Sequence, residues 1–300
     1  MMKSVPFSLA LLCCAAVAAR AQGASPAGAG DGRLARVLAR AGERVESYQK
    51  GLFSIAFTEV LRREELREDM TAKKAKEFVF ETVVVREALP AAGEGDDYYP
   101  KSARRLKSVD GRPPKRGEQA TTQFNVASLD FLLPKNLKPS EFSLEGEEAL
   151  GGRAAFRVRW QKPGDEAKVE WKGTNFRVVS APIVYLFWID AETFDVLRLE
   201  ARLAAPFEFE SPGAFKSPFG RFGPSRRLRY AVQDYSVRFR RQRFEGPEQT
   251  LLVPESAEAL TVIEGASRPR LRTTVRFSDY RRFRSDVKVV EEPDGEAGRQ

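Results

Sequence analysis

Between Tyr185 and Leu203 the chain reads YLFWIDAETFDVLRLEARL, and apolar and polar residues alternate with a period of two around a short polar break. A period of two belongs to a strand, because successive side chains point to opposite faces of a sheet. On the first run Tyr185, Phe187 and Ile189 share one face, and Leu186 and Trp188 share the other. On the second, Leu197, Leu199, Ala201 and Leu203 alternate with Arg198, Glu200 and Arg202, which marks the leucine side as buried. Asp190 and Thr193 fall in the break, where short side-chain oxygens accept from nearby backbone N–H groups and hold a turn. The stretch predicts an antiparallel hairpin with one wet face.

The same alternation recurs along the chain. Leu52–Arg62 predicts a strand with Phe53, Ile55, Phe57 and Leu61 on one side. Glu77–Glu87 is β-branched and aromatic on both faces, which predicts a strand covered on both sides. Ala103–Arg112 predicts a strand turned by Asp110-Gly111. Leu150–Gln161 predicts a hairpin turned by Gly151-Gly152, with Phe156, Val158 and Trp160 inward. Lys168–Trp171 and Phe176–Val179 are short strand candidates. Arg226–Phe244 reads as a long strand or hairpin and Arg270–Phe283 as another strand, both with arginines facing out, and Leu251–Ser256 and Ala259–Ile263 lie between them. Glu64–Lys76 reads as a loop or hairpin tip and Ala88–Pro100 as a loop. Only Arg33–Gln49 has clear helical spacing, through Leu34, Val37, Leu38, Ala41, Val45 and Tyr48, with Asp31 as its N-cap. Asn125–Leu133, stopped by Pro134, predicts a short helical plug.

Trp188-Ile189-Asp190, Thr193 and Val196-Leu197-Arg198 resemble the W-[IV]-D-x-x-T-x-x-[PV]-L-R hairpin of LolA-like proteins, a group that includes outer-membrane lipoprotein-sorting proteins. Members usually carry Gly where this chain has Phe194, which implies a differently shaped turn here. The later segments LLVPESAEAL and FSDYRRF also resemble secreted members of that group. The resemblance implies an α+β fold: a strongly curved antiparallel half-barrel wrapped around an N-terminal helix and the helical plug, over residues 34–290.

The first 21 residues carry Lys3, an apolar run from Val5 to Val17 and Ala19-Arg20-Ala21, the layout of a cleaved secretory signal. That run is short for a bilayer span. Residues 22–33 read as a flexible Gly/Ala leader and 291–300 as a disordered tail. Removing Lys3 and Arg20 takes the formal charge from +8 to 8 − 2 = +6. A basic exported protein meets anionic lipid or envelope polymers rather than nucleic acid, so a periplasmic or secreted location and peripheral membrane contact are expected.

Both cysteines lie in the signal and the chain has no His. That excludes Ser-His and Cys-His nucleophile systems and thiolate metal sites in the mature chain. No phosphate-cradling Gly loop or dinucleotide fingerprint is present. Ser47 and Lys50 match Ser-x-x-Lys without its companion motifs, so Ser47 reads as a solvated helix residue. Glu94, Asp96 and Asp97 match no EF-hand spacing. No catalytic residue, metal or cofactor is assigned.

Three groups remain as candidate sites. The groove that the LolA resemblance implies, able to hold an acyl chain, would be lined by Phe53, Phe57, Phe80, Val84, Leu129, Leu132, Trp160 and Trp188. The Phe/Pro/Gly-rich stretch 206–224, with Phe207, Phe209, Phe215, Phe219 and Phe222, predicts irregular structure and a flap over the groove or a docking loop. Arg238, Arg240 and Arg276 are candidates for an anion-binding face. The expected function is a non-enzymatic binding protein that carries or senses a lipid, a lipoprotein acyl chain or another apolar ligand. Alternatives are an envelope protein–protein or stress-sensor module, and an Asp/Glu-dependent hydrolase of envelope glycans.

Overall fold

The computed structural model describes residues 27–52, 55–88, 98–118, 129–161, 166–172, 175–211, 215–217, 220–222, 225–245, 249–266 and 269–282. The expected signal, the tail, the loop acids at 94, 96 and 97, and Phe53 and Phe219 lie outside them.

In chain order the elements are α1 (Ala27–Leu52), β1 (Ile55–Leu66), β2 (Ala72–Ala88), β3 (Tyr98–Val109), a 3-10 turn (Asp130–Leu132), a second 3-10 turn (Pro139–Glu141), β4 (Phe142–Leu150), β5 (Arg153–Gln161), β6 (Lys168–Lys172), β7 (Asn175–Ser180), β8 (Ile183–Asp190), β9 (Val196–Leu203), β10 (Phe207–Glu210), β11 (Phe215–Ser217), β12 (Gly220–Phe222), β13 (Arg227–Phe244), β14 (Gln249–Glu264) and β15 (Arg270–Arg282). One eleven-stranded antiparallel sheet runs β3-β2-β1-β15-β14-β13-β9-β8-β5-β4, with β10 added beside β13. The chain therefore leaves the sheet's middle at β1, builds one arm, crosses to the far arm at β4, and returns to close against β1 through β15.

The sheet is open and curved. Ten strands laid flat at about 4.8 Å would span roughly 45 Å, several helix diameters. Yet one apolar cluster joins Val109 on the first edge, Phe142 on the last, and Val37, Leu38, Ala41, Val45 and Tyr48 of α1. Only a bent sheet brings both edges to a single helix. Register shifts in β1–β15, β2–β3, β4–β5, β8–β9 and β13–β14 supply bends, since each bulge adds local twist. The helix-bearing side is called the inner face below. Gly42 lets α1 approach the plug, because a Cβ there would meet the Leu132 carbonyl oxygen at 2.7 Å.

Several expectations shift. The helix begins at Ala27, so residues 27–32 of the expected leader are helical and Asp31 is inside the helix, not its cap. β1 and β2 run further than expected, leaving a turn of only residues 67–71, and β3 starts at Tyr98 inside the expected loop. β2 is covered on one side: Phe78, Phe80, Thr82 and Val84 are buried, while Val85 on the other face is 37% exposed. β4 has no apolar alternation, with Glu145, Glu147 and Glu148 in its middle, and is held by pairing to β5 across the Gly151-Gly152 turn, whose φ values are +60° and +81°. The Pro/Gly-rich stretch 206–224 contains three short strands, β10 to β12.

The opening hairpin forms, with one correction. Trp188 stands opposite Arg198 and Ile189 opposite Val196, leaving Leu197 as an extra bulge residue. Val196, not Leu197, therefore joins Leu199 on the inner face, and Leu197 packs outside against Ala155, Leu186 and Trp188.

Candidate functional site

Six of the expected groove residues, Phe57, Phe80, Val84, Leu129, Leu132 and Trp160, meet in the inner cluster. All are at most 8% exposed, so α1 and the plug fill the concavity they line. Trp188 faces the other way: its indole N–H donates to Glu148 on the outer face, because it alternates with Phe187 and Ile189, which are fully buried inside.

The margin of this cluster carries a residue that sequence reading passed over. Phe131, in the plug, is half-buried, stacks on Trp160 at 4.2 Å and meets Tyr185 at a tilt, 5.0 Å between ring centroids. Trp160 donates its ring N–H to Glu141 at 3.0 Å. The plug is tied to α1 by Gln49, whose amide donates to Asp130 Oδ1 at 2.5 Å, and to itself by Asn136, which donates to the Asp130 carbonyl at 3.0 Å. Burial pushes the Asp130 carboxyl above its usual range, against the pull of the Gln49 bond and the Lys135 charge. The signal available in the sequence was the apolar run 125–133; which of its side chains faces the rim depends on a single 3-10 turn.

A buried polar group on the same face was also unforeseen. Glu59 is 2% exposed between Phe57 and Leu61. Thr82 Oγ1 donates to it at 2.9 Å and Arg104 Nε at 2.8 Å, while the Arg104 guanidinium lies 3.9 Å from the Phe80 ring centroid. Burial raises the Glu59 carboxyl despite Arg104 and Thr82, which act to lower it. The alternation of β1 marked position 59 as inward, and its charge was the clue.

The hairpin turn is a rigid fitting. Asp190 Oδ1 accepts from Thr193 N at 2.7 Å, Thr193 Oγ1 at 2.8 Å and Glu192 N at 3.1 Å, and Arg153 pairs with Oδ2 at 2.8 Å. Burial would raise this carboxyl, but these donors and the Arg153 charge hold it below the usual range. Phe194 sits at φ +59°, so it adopts the left-handed conformation for which Gly is suited instead of reshaping the turn. Next to it, buried Asp195 receives Arg44 of α1 at 2.9 Å and Arg241 of β13 at 2.6 Å, clamping helix, hairpin and central strand together.

Where it is described, the Phe-rich stretch packs on aromatic neighbours of its own. Phe207 stacks on Tyr230 at 5.3 Å, and Phe209 meets Phe176 at 5.0 Å and Trp171 at 6.1 Å, forming a half-buried aromatic group apart from the inner cluster. Phe215 and Phe222 lie in β11 and β12, opposite one another in register.

The candidate arginines divide. Arg238 and Arg276 flank Ser256 in register on the outer face. Arg240 does not join them. The register shift after Arg238 pairs it with fully buried Val253, and its guanidinium lies 5.7 Å from the Tyr280 ring.

No family model and no curated protein matches the chain. Among solved structures it is similar to a domain named for outer membrane lipoprotein sorting from Vibrio parahaemolyticus, at 11% identity over 85% of this chain and 95% of that one, with a TM-score of 0.37. It is also similar to a LolA superfamily protein from Nitrosomonas europaea, at 11% identity over 84% and 93%, with a TM-score of 0.30. A third is a DUF1329 family protein from Desulfovibrio piger, at 14% identity over 89% and 95%, with a TM-score of 0.29. At superposition scores this low, the fold rests on the strand order and registers above. No described helix is long and apolar enough to cross a membrane.

Proposed function

We propose that the protein is an exported, non-enzymatic binding protein that carries or senses an apolar chain, such as a lipid or lipoprotein acyl chain, on the inner face of its sheet. One observation carries this reading. The rim of the inner cluster is closed by a plug whose 3-10 turn is only three residues long, and its Phe131 covers Trp160 and Tyr185 through ring contacts. Swinging that ring aside gives a chain a path toward apolar side chains from both arms of the sheet. Each buried methylene contributes about 0.8 kcal/mol, so ten give on the order of 8 kcal/mol before the cost of moving the plug.

The test is a titration of delipidated mature protein with palmitate, read by tryptophan emission and native mass spectrometry. One chain per protein is expected, with affinity falling about tenfold in Trp160→Ala. Absence of any bound chain at millimolar palmitate overturns the reading.

A second reading, an envelope protein–protein module, draws on the half-buried aromatics Trp171, Phe176, Phe207 and Phe209, which stand outside the main core. A fixed protein partner in place of lipid in pull-downs, lost in Phe207→Ser/Phe209→Ser, would favour it.

A further inference from the structure

The cross-strand registers place a single row of residues on the outer face. Arg157 stands opposite Trp188, Trp188 opposite Arg198, Arg198 opposite Arg238, Arg238 opposite Ser256, and Ser256 opposite Arg276. Partners in register share a face, so six strands in succession present four cations, one indole and one hydroxyl. The row continues into Val60 of β1, so no acid closes it at that end.

Its two halves differ in how their charge is met. Arg157 pairs with Glu145 at 3.0 Å, and Arg198 pairs with Glu200 and lies 5.1 Å from the Trp188 ring. Arg238 and Arg276 are exposed and have no acidic partner among the described residues. On the neighbouring outer positions the acids are engaged elsewhere, Glu200 with Arg198 and Arg202 and Glu258 with Arg272 at 4.0 Å, while exposed Glu255 is the extra residue of the β13–β14 register shift and stands opposite no residue of β13. Arg198 and Arg238 directly opposite one another repel, which costs stability unless an anion lies between them. Arg238 and Arg276 are two strands apart, about 9.6 Å at the backbone. Arginine side chains are long enough to converge over Ser256 from that distance. Beside the row lies a cleft of about 200 Å³ lined by Arg198, Glu200, Arg202, Asp234, Ser236 and Glu258.

We propose that Arg238, Ser256 and Arg276, with Arg198 at the edge, form a binding site for a phosphate group. The guanidinium forks each offer two parallel N–H donors to phosphate oxygens, the Ser256 hydroxyl offers a third contact from below, and the cleft takes part of what the phosphate is attached to. The site is on the face opposite the acyl-chain reading and stands or falls without it. A phosphate can come from a free phosphate ester or from the headgroup of an anionic lipid.

The experiment uses the mature protein, Arg238→Gln/Arg276→Gln, and Arg272→Gln as a control on the same face. Inorganic phosphate is titrated by calorimetry at low ionic strength, and co-sedimentation is measured with phosphatidylglycerol and phosphatidylcholine vesicles. Saturable phosphate binding that weakens at least tenfold in the double variant and under twofold in Arg272→Gln supports the site. Phosphatidylglycerol binding lost in the same variant assigns the phosphate to a bilayer, and phosphate binding without vesicle binding assigns it to a soluble ester. Equal binding by wild type and double variant in both assays, or no binding of either probe, overturns the proposal.

Discussion

Each arm of the sheet carries a nearly buried carboxylate, and the two are held in opposite ways. On the arm made by β5, β8 and β9, Asp190 collects two backbone N–H groups, a hydroxyl and an arginine, and its carboxyl is held below the usual range. On the arm made by β1, β2 and β3, Glu59 has Thr82 and Arg104, and burial still raises it. Each residue is 2% exposed, but Glu59 lies deeper among protein atoms, so burial disfavours its charged form more. The supply of donors differs as well. A turn aims several fixed N–H dipoles at one oxygen, whereas a strand's backbone donors are committed to the ladder and leave only side chains.

The largest expected effect comes from breaking the Glu59 pair. Glu59→Leu leaves Arg104 buried beside Phe80 and should destabilise the fold by about 3–5 kcal/mol, measured by chemical denaturation. Replacing both partners, Glu59→Leu with Arg104→Met, should recover most of that loss. A double variant as unstable as the single one would show that the pair is worth more than its desolvation cost.

Asp190→Ala should cost about 2–4 kcal/mol, since several donors to a charged acceptor lose their partner together. The pH dependence of the two sites should run in opposite senses. Asp190 has a lowered folded pKa, so its stabilisation is present above the ordinary value of about 3.9 and is lost as pH falls through the lowered one. Asp190→Asn should therefore differ most from wild type near neutrality and converge with it in acid. Glu59 has a raised folded pKa, so its contribution is full below the ordinary value and is lost as pH rises through the raised one. Thermal melts of Asp190→Asn and the Glu59/Arg104 double variant across pH 3 to 8 would check both slopes.

The smallest effect is expected at the turn itself. Phe194→Gly relieves a left-handed residue by about 1 kcal/mol, and gives up ring contact with Phe156 at 6.4 Å, worth a similar amount. A net change within about 1 kcal/mol is expected by thermal melt. A much larger loss would mean that Arg40, 5.8 Å above the Phe194 ring, adds substantially to this corner.

How much was legible varies by element. The opening hairpin, the strand through Phe156, Val158 and Trp160, and the long arginine-bearing strands were readable because one buried face forces strict alternation. The Gly151-Gly152 turn was readable because Gly accepts positive φ. β4 was not, since an edge strand needs only a partner's backbone and its glutamates carry no period. Leu197 and Arg240 were assigned to the wrong faces for one reason: each follows or forms a register shift, and a one-residue shift inverts every later side chain.

Alternation, turn residues and the helical spacing of residues 33–49 determined a β protein of hairpins with an N-terminal helix, and the absence of His and of any Cys after Cys14 closed off whole classes of chemistry. Tertiary structure decided that α1 and the plug occupy the concavity, that Trp188 looks outward, and that Arg238 and Arg276 flank Ser256. Those facts depend on pairing between strands far apart in the chain, where the register fixes neighbours and no local pattern encodes it.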